Sequence, residues 1–333
     1  MLLSICIPTY NRQKFIGNSL QFLLNDADAH IGKEVEILVS NNASTDGTDK
    51  IIGDIFSRSQ RFSYFSQEEN IGPMRNFCFL VENARAEYVW IVGDDDTLRP
   101  GIVEYILDLI NLYKDEDLGA LFLGASWIRE DYALDKFYGN SSSEIWDALG
   151  IGRSIESGLH NYGDFAVSRY ELGSSDVYDS FNFTTACIMK KNTLLDVYKN
   201  PDASTLHTAP YACSMNAVHN SGCFFVEPKV YIYAGIDLPW IDEVPEIYSL
   251  ELLKSYLSLE YFRFTKSEIK ALIKVFFEQG EMWLPVFKRN PMKFSKRWEF
   301  VKLVIKEGFL WLLINKITVR ILKKIKRDVF KKA

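Results

Sequence analysis

Three consecutive aspartates, Asp94 to Asp96, follow an apolar run at 88–92 and precede a Pro-Gly turn. Neighbouring carboxylates repel one another unless a cation compensates their charge. Carboxylate oxygens are the ligands that Mg²⁺ and Mn²⁺ prefer, and these ions are often shared with the phosphates of a substrate. The triplet therefore indicates a divalent-ion site. An ordinary acidic turn is the alternative, because aspartate favours turns.

Two other polar clusters, Pro8-Thr9-Tyr10 and Asn41-Asn42, also end predicted strands. The strand patterns cover 2–8, 35–41, 62–67 and 88–96, and they alternate with helical patterns at 12–25, 48–59 and 74–84. Such alternation predicts βαβ units and a mostly parallel α/β sheet. Ligands of these sheets bind at the carboxyl ends of the strands, so the three polar clusters are expected on one edge.

The second half of the chain has a less regular pattern. Strands are predicted at 119–128 and 223–235, and a strand leading into a helix at 180–198. Helical spacing dominates 246–280 and 298–330. We predict one domain at 1–235, with halves 1–125 and 126–235, followed by a helical region at 236–333.

The composition is that of a folded protein, with 47% apolar and 25% charged residues among 333. Five cysteines and four histidines are scattered without metal-ligand spacing, which argues against a zinc site. The start "MLLSICIPTY" has no basic segment and only a short apolar run. No signal peptide is predicted there, and a reduced, cytoplasmic protein is expected.

The charge is distributed unevenly along the chain. Residues 293–333 hold thirteen Lys/Arg and three Asp/Glu, whereas the whole chain has a net charge of −6. Apolar residues interleave with these basic ones, which favours an anionic membrane surface over nucleic acid. The longest uncharged run, 308–315, is too short to span a bilayer. A peripheral interfacial helix is predicted, with a core-packing or dimerising helix as the alternative.

Four motifs in order resemble the nucleotide-sugar half of family-2 glycosyltransferases: "SICIPTYNRQKFI", "EILVSNNASTDGT", "EENIGPMRNF" and "VGDDDTLRPG". The resemblance covers about residues 1–125 and extends more weakly to 235. It implies a GT-A fold, which is a Rossmann-like α/β domain with the acceptor site in its second half. It also implies a nucleotide-sugar donor and Mn²⁺ or Mg²⁺ as cofactor.

The resemblance implies roles for individual residues. Candidate donor-binding residues are Pro8, Thr9, Tyr10, Asn11, Asn41, Asn42, Arg75, Asp94 and Asp95. Pro8 to Tyr10 would lie beside the base, and Arg75 near the diphosphate. Asp96 is the first candidate metal ligand, with Asp94 as the second. One departure is clear, because the family often has Asp-x-Asp-Asp where this chain begins with Gly93.

The base pocket shows a second departure, since the family commonly has an aspartate where this chain has Asn41 or Asn42. A carboxylate only accepts hydrogen bonds, which suits uracil or thymine, whereas an amide both donates and accepts. The pair would therefore tolerate cytosine, which favours a CDP-sugar. Together with the basic tail, this resembles O-antigen abequosyltransferases, which transfer a dideoxyhexose from CDP. A dTDP- or UDP-sugar, for example in rhamnosyl transfer, is the alternative.

The catalytic base is less clear. Inverting transfer needs a group that takes the proton of the acceptor hydroxyl. The family usually supplies it from a Glu-Asp pair, where this chain has Pro210-Tyr211. The candidates are His207, Asp202, Asp179 and Asp176, and retaining transfer stays open.

These observations predict a metal-dependent glycosyltransferase, peripheral on the cytoplasmic face of the inner membrane. Its predicted acceptor is a lipid-linked oligosaccharide of O-antigen or other surface polysaccharide synthesis. A nucleotidyltransferase is less favoured, because the chain shows no Gly-rich phosphate loop at its first strand. A non-catalytic membrane scaffold with a degenerate transferase fold is the rival interpretation.

Overall fold

The computed structural model describes residues 1–127, 157–161, 183–202, 208–234, 250–279, 294–311 and 314. The chain divides into two compact units, Met1–Leu238 and Pro239–Ala333.

The first unit begins with the alternating elements that the sequence predicts. They are β1 (Leu3–Thr9), α1 (Ile16–Asp26), β2 (Val35–Asn41), α2 (Thr48–Arg58), β3 (Ser63–Ser66), α3 (Pro73–Asn83) and β4 (Tyr88–Ile91). The remaining elements of the unit are β5 (Thr97–Leu98), α4 (Ile102–Leu112), β6 (Leu118–Trp127), β7 (Gly158–His160), β8 (Cys187–Lys190), α5 (Lys191–Tyr198), α6 (Ala209–His219) and β9 (Cys223–Ala234).

All nine strands of the described residues form one sheet. Its order is β3-β2-β1-β4-β8-β6-β9-β5, with β7 added to β9. The strands from β3 to β4 are parallel, whereas β8 runs antiparallel to both of its neighbours. The predicted α/β class is therefore confirmed, and β8 is the strand that joins the two halves of the sheet.

Helices cover both faces of the sheet, which explains why β1 reads as a continuous apolar run. Leu3, Ile5 and Ile7 belong to a core that also contains buried residues of α1 and α4. On the other side of the sheet, α3 contacts β1 and β2 and packs against α5, which in turn packs against α6. This two-sided burial fixes the positions of the strand ends.

At the carboxyl edge of the sheet, two predicted boundaries were wrong. Helix α1 begins at Ile16 instead of residue 12, because residues 10–15 form a turn. Strand β4 ends at Ile91 instead of residue 96, because the chain turns at 93–96 before β5. In both places the polar residues lie in turns beyond the strand ends.

The second unit is helical in its described residues. It contains α7 (Leu252–Ser258), a short 3₁₀ turn at Leu259–Phe262, α8 (Lys266–Gln279) and α9 (Phe294–Lys306). Within the described part of the chain, no helix has the length and apolar character needed to cross a membrane.

Candidate functional site

Parallel pairing brings the carboxyl ends of β1, β2 and β4 to one edge of the sheet. Thr9 at the end of β1 lies opposite Asn41 at the end of β2. On the other side of β1, Cys6 pairs with Ile91, and the N–H of Val92 donates to the Cys6 carbonyl at 2.9 Å. The three polar clusters predicted from the sequence therefore lie at neighbouring strand ends. We call this edge the rim.

The turn after β1 is hydrogen-bonded to the loop after β2. Asn11 has a φ of 55°, a left-handed conformation that asparagine tolerates better than most residues. Its N–H donates to Ser44 Oγ at 2.9 Å, and its side-chain oxygen accepts the N–H of Thr45 at 2.8 Å. The N–H of Arg12 donates to Thr48 Oγ1 at 2.8 Å. These bonds hold the two loops together, and the Asn11 side chain is one of the links.

The other donor-binding candidates on the turn and on α3 differ in exposure. Thr9 is buried and Pro8 is half-buried, whereas the Tyr10 side chain is 41% exposed. Arg75 is exposed on the first turn of α3. An exposed aromatic ring at the rim suits stacking against a flat ligand such as a nucleobase.

Asn42 links the loop after β2 to the segment that precedes α3. Its amide nitrogen donates to Asn70 Oδ1 at 2.9 Å, and its oxygen accepts the N–H of Ile71 at 2.9 Å. A backbone N–H can only donate, so the amide orientation is fixed. Both polar atoms of Asn42 therefore hold the loop, and only their second hydrogen-bonding capacity remains for a ligand.

Asn41 is also committed within the chain. Its amide nitrogen donates to Asp49 Oδ1 at 3.0 Å, and its oxygen accepts the N–H of Ser44 at 3.1 Å. Tyr64 donates its hydroxyl to the same carboxylate, which lowers the pKa of Asp49. A carboxylate at position 41 would face that charge. The asparagine at 41 therefore has a structural reason that does not involve the nucleobase.

Asp94 is buried and lies against Arg12. The Nε of Arg12 lies 3.2 Å from Asp94 Oδ1, and its terminal nitrogen lies 4.0 Å from Asp95. Burial raises the pKa of Asp94 to about 7, with further upward effects from Asp95 and Asp96 that Arg12 opposes. Buried carboxylates that are this costly to ionise cluster at functional sites.

Asp96 is held by a residue that the sequence did not suggest. Thr185, in a 3₁₀ turn (Thr184–Ala186) directly before β8, donates its hydroxyl to Asp96 Oδ2. The same hydroxyl accepts the N–H of Gly93 at 2.9 Å. The carbonyl of Thr185 accepts the indole N–H of Trp90 at 2.7 Å. The only hint in the sequence is a Thr-Thr pair before an apolar run, which is a weak signal.

Asn76 is a second residue that sequence reasoning missed. It accepts the Ser40 hydroxyl at 2.6 Å and donates to the Ser40 carbonyl at 3.1 Å. Because Asn76 is on α3 and Ser40 is at the end of β2, this pair fixes the start of α3 at the rim. Asn76 lies four residues before the buried Leu80, so a polar residue on the apolar face of α3 is a signal that sequence reasoning could have used.

The candidate bases are not brought together with the rim by the described contacts. Asp202 is exposed on the turn after α5, where its N–H donates to Asn200 Oδ1 at 3.0 Å. His207, Asp179 and Asp176 lie outside the described residues. The roles of all four therefore remain predictions.

The first half of the chain and its rim match a known family. A profile described as "Glycosyl transferase family 2" matches residues 4–172, which is half of the chain. The chain belongs to this family. The matched segment includes the rim residues of β1, β2 and β4, and it ends before Thr185.

Two curated relatives of this family-2 chain act on sugars. "Abequosyltransferase RfbV" of Salmonella typhimurium is 35% identical over 201 residues, which are 56% of this chain and 57% of the relative. The "GalNAc(5)-diNAcBac-PP-undecaprenol beta-1,3-glucosyltransferase" of Campylobacter jejuni is 29% identical over 54% of this chain and 63% of the relative. The chain thus matches less than two thirds of the length of either relative.

Solved structures show the same fold. S. aureus TarS 1-349 in complex with UDP-GlcNAc has a TM-score of 0.63 and 17% identity, and the match covers 92% of this chain and 80% of TarS. The mannosyltransferase PcManGT from Pyrobaculum calidifontis, in complex with GDP-Man and Mn²⁺, has a TM-score of 0.56 at 13% identity, with 96% and 79% covered. The predicted GT-A-like α/β fold is therefore confirmed.

The rim can be tested for its fit to a divalent ion. Among the described residues, no group of three or more His, Cys, Asp or Glu side chains is arranged to hold a metal by itself. Ions such as Mg²⁺ usually take one or two carboxylates and complete their coordination with water and substrate phosphates. A buried carboxylate with a raised pKa also gains from a nearby cation. The donor set fits an ion that is shared with a diphosphate.

Proposed function

We propose that this chain is a metal-dependent glycosyltransferase that transfers a sugar from a nucleoside diphosphate to an acceptor hydroxyl. The observation that supports this proposal best is the convergence of the turn after β1, the Asn41-Asn42 loop and the aspartate triplet on one rim in a family-2 chain. The Mn²⁺ complex of PcManGT is consistent with a divalent cofactor.

The donor would be held by groups of different chemistry. The exposed ring of Tyr10 would stack on the base, and Asp94 or Asp95 would accept ribose hydroxyls. Asp96, with Asp94, would hold Mn²⁺ or Mg²⁺, which as a Lewis acid stabilises the departing diphosphate. Arg75 would add positive charge near the diphosphate. The hydrogen bonds between the two rim loops would keep these groups in place before the donor arrives.

The acceptor hydroxyl would attack C1 of the sugar. The carbon–oxygen bond to the diphosphate breaks, and the hydroxyl proton passes to a base. His207, Asp202, Asp179 and Asp176 remain the candidates for that base. Front-face attack, in which the leaving diphosphate takes the proton, is the alternative that would give retention.

For the donor we propose a CDP-sugar. The Asn41-Asn42 pair motivates this choice, and the abequosyltransferase relative supports it. The side-chain amides of Asn41 and Asn42 are hydrogen-bonded within the chain, so they have less capacity to recognise cytosine. UDP- and dTDP-sugars therefore stay as alternatives, and UDP-GlcNAc is the ligand of the TarS complex.

For the acceptor we propose a lipid-linked oligosaccharide of O-antigen or related surface polysaccharide synthesis, because one relative acts on an undecaprenol-linked substrate. The enzyme would work as a peripheral protein on the cytoplasmic face of the inner membrane. In the second unit, Trp298 and Trp311 are more than half exposed, and Lys302 lies 5.6 Å from the Trp298 ring. Exposed tryptophans beside lysines suit an anionic lipid interface.

Calorimetric titration tests the donor proposal directly. CDP, UDP, dTDP and GDP are each titrated with Mn²⁺ into wild type, Asp96→Ala and the exposed helix variant Asp108→Ala. We expect CDP to bind most tightly, binding to be lost in Asp96→Ala, and Asp108→Ala to match wild type. Tighter UDP or dTDP binding would overturn the CDP assignment alone. No nucleotide binding at all would favour the scaffold over the transferase.

A further inference from the structure

Thr185 connects two parts of the sheet at the aspartate triplet. It lies 89 residues beyond Asp96 in sequence, outside the segment that the family profile matches. Its hydroxyl is bonded on one side to the N–H of Gly93 and on the other to Asp96 Oδ2. The N–H of Gly93 can only donate, so the single hydroxyl hydrogen is directed to Asp96.

The glycine at 93 makes room for this arrangement. A Cβ at that position would lie 2.4 Å from Asp96 Oδ2 and 3.4 Å from Thr185 Oγ1. Any side chain there would displace the Asp96 carboxylate from the Thr185 hydroxyl. Gly93, where the family often has an aspartate, therefore leaves room for the Asp96–Thr185 hydrogen bond.

The bond also closes the turn that carries the other two aspartates. The N–H of Asp96 donates to the Gly93 carbonyl at 3.4 Å, so the turn alone is held weakly. Thr185 spans the same two residues with its hydroxyl, and its own position is fixed by the Trp90 indole, a fully buried ring of β4. Asp94 and Asp95 are thus presented from a turn that is braced by β8.

We propose that Thr185 is a positioning residue for the divalent ion, and that it acts by fixing the Gly93–Asp96 turn. This inference rests on the proposed function, because it assumes that the triplet binds the ion together with the donor diphosphate. Hydrogen bonds to metal-binding carboxylates orient them, and the loss of such a partner typically costs about 10–100-fold in metal affinity or activity.

The test measures Mn²⁺ binding by the electron paramagnetic resonance signal of free Mn²⁺, in the presence of the nucleotide that wild type binds most tightly. Thr185→Val should weaken Mn²⁺ binding about 10–100-fold. Thr185→Ser, which keeps the hydroxyl, should remain close to wild type. Thr193→Val removes another buried threonine hydroxyl, on the first turn of α5, and should leave Mn²⁺ affinity unchanged.

Gly93→Ala provides a second approach if Thr185→Val does not fold. It retains the threonine but displaces the end of the Asp96 side chain, so the same loss of Mn²⁺ affinity is expected. Equal Mn²⁺ affinity in Thr185→Val, Gly93→Ala and wild type would overturn the positioning role.

Sugar transfer assayed on the same proteins separates this inference from the proposed function. If wild type transfers sugar while Thr185→Val keeps its Mn²⁺ affinity, only the positioning role fails. If wild type binds Mn²⁺ through Thr185 but turns over no nucleotide sugar, only the proposed function fails. Absence of Mn²⁺ binding in wild type would overturn the positioning role and the metal dependence together.

Discussion

Two regions depart from the usual pattern of buried apolar and exposed polar side chains, in opposite directions. They are the rim of the first unit, and helix α9 with the residues after it. At the rim, polar side chains are buried; Asn41, Asn42, Asp94 and Asp96 are each at most 6% exposed. In the second unit, large apolar side chains reach solvent instead, at 52% for Trp298, 49% for Ile305 and 56% for Trp311. The rim therefore buries polar side chains, whereas the second unit exposes apolar ones.

The two departures point to ligands of different kinds. Buried polar groups are tolerated when they are hydrogen-bonded, and the amides of the rim are bonded within the chain. Asp94 retains a raised pKa in spite of Arg12, which indicates a site that a small cation would stabilise. Clustered exposed apolar residues beside lysines indicate an extended anionic and apolar surface.

Removal of the triplet carboxylates should give the largest effect. Asp95→Ala and Asp96→Ala are each expected to lower sugar transfer by at least about 100-fold, because on the proposed mechanism they remove charge from the place where the diphosphate would leave. The measurement is kcat/KM for the preferred nucleotide sugar, with Asp108→Ala as the matched surface variant. A loss below about tenfold in both variants would show that the aspartate triplet is not required for sugar transfer.

Removal of the exposed tryptophans tests the other side of the comparison. The double variant W298A/W311A should reduce partitioning onto vesicles that contain phosphatidylglycerol by about tenfold or more, because each substitution removes the large apolar contact of an indole ring. Co-sedimentation is measured beside vesicles of phosphatidylcholine alone. Leu112→Ala, which truncates an exposed leucine of α4, is the control. Unchanged partitioning would indicate that the exposed tryptophans bind a protein partner instead of a membrane.

A carboxylate at position 41 should cause a moderate loss of stability. Asn41→Asp places a charge against Asp49, which now accepts the Asn41 amide, and should lower the free energy of unfolding by about 1–3 kcal/mol. The double variant N41D/D49N restores a carboxylate–amide pair and should recover most of that loss in urea titrations. If N41D/D49N also shifts preference from CDP to UDP, Asn41 reads the base after all.

A pH-dependent change in thermal stability is also expected. Folding raises the pKa of Asp94 from 3.8 to about 7, so its stability contribution is complete below about pH 4 and is lost as the pH rises through 7. Without added metal, Asp94→Asn should therefore unfold several degrees above wild type at pH 8, and the difference should vanish near pH 4. Differential scanning calorimetry of both proteins at the two pH values measures this difference.

The local parts of this architecture were predictable from the sequence. Apolar runs and helical spacing located β1 to β4 and the helices between them, and turn residues marked the strand ends. The start of α1 and the end of β4 were misjudged because both depend on hydrogen bonds to distant segments. Arg12, for example, is tied to Thr48 across 36 residues.

Long-range contacts explain which features of the candidate site could not be predicted from the sequence. Asn41 and Asn42 looked like base-reading amides, but Asp49 and the N–H of Ile71 engage them, which no local pattern reveals. Thr185 escaped notice for the same reason, since only the antiparallel pairing of β8 with β4 brings it to the triplet. The assigned roles of the donor-binding residues and bases stay predictions.

The Thr185 contact has a consequence for how the protein is made. During synthesis, β1 to β4 and the aspartate turn emerge about ninety residues before their brace, so the nascent first half holds an unsupported turn and an unpaired edge at β4. The strands β1 to β4 can pair early, but the Gly93–Asp96 turn gains its hydrogen bond to Thr185 only when β8 adds to the sheet. On the proposal that this turn helps to bind the divalent ion, metal binding would arise late in folding, and a chain interrupted before Thr185 would lack the hydrogen bond that fixes the turn.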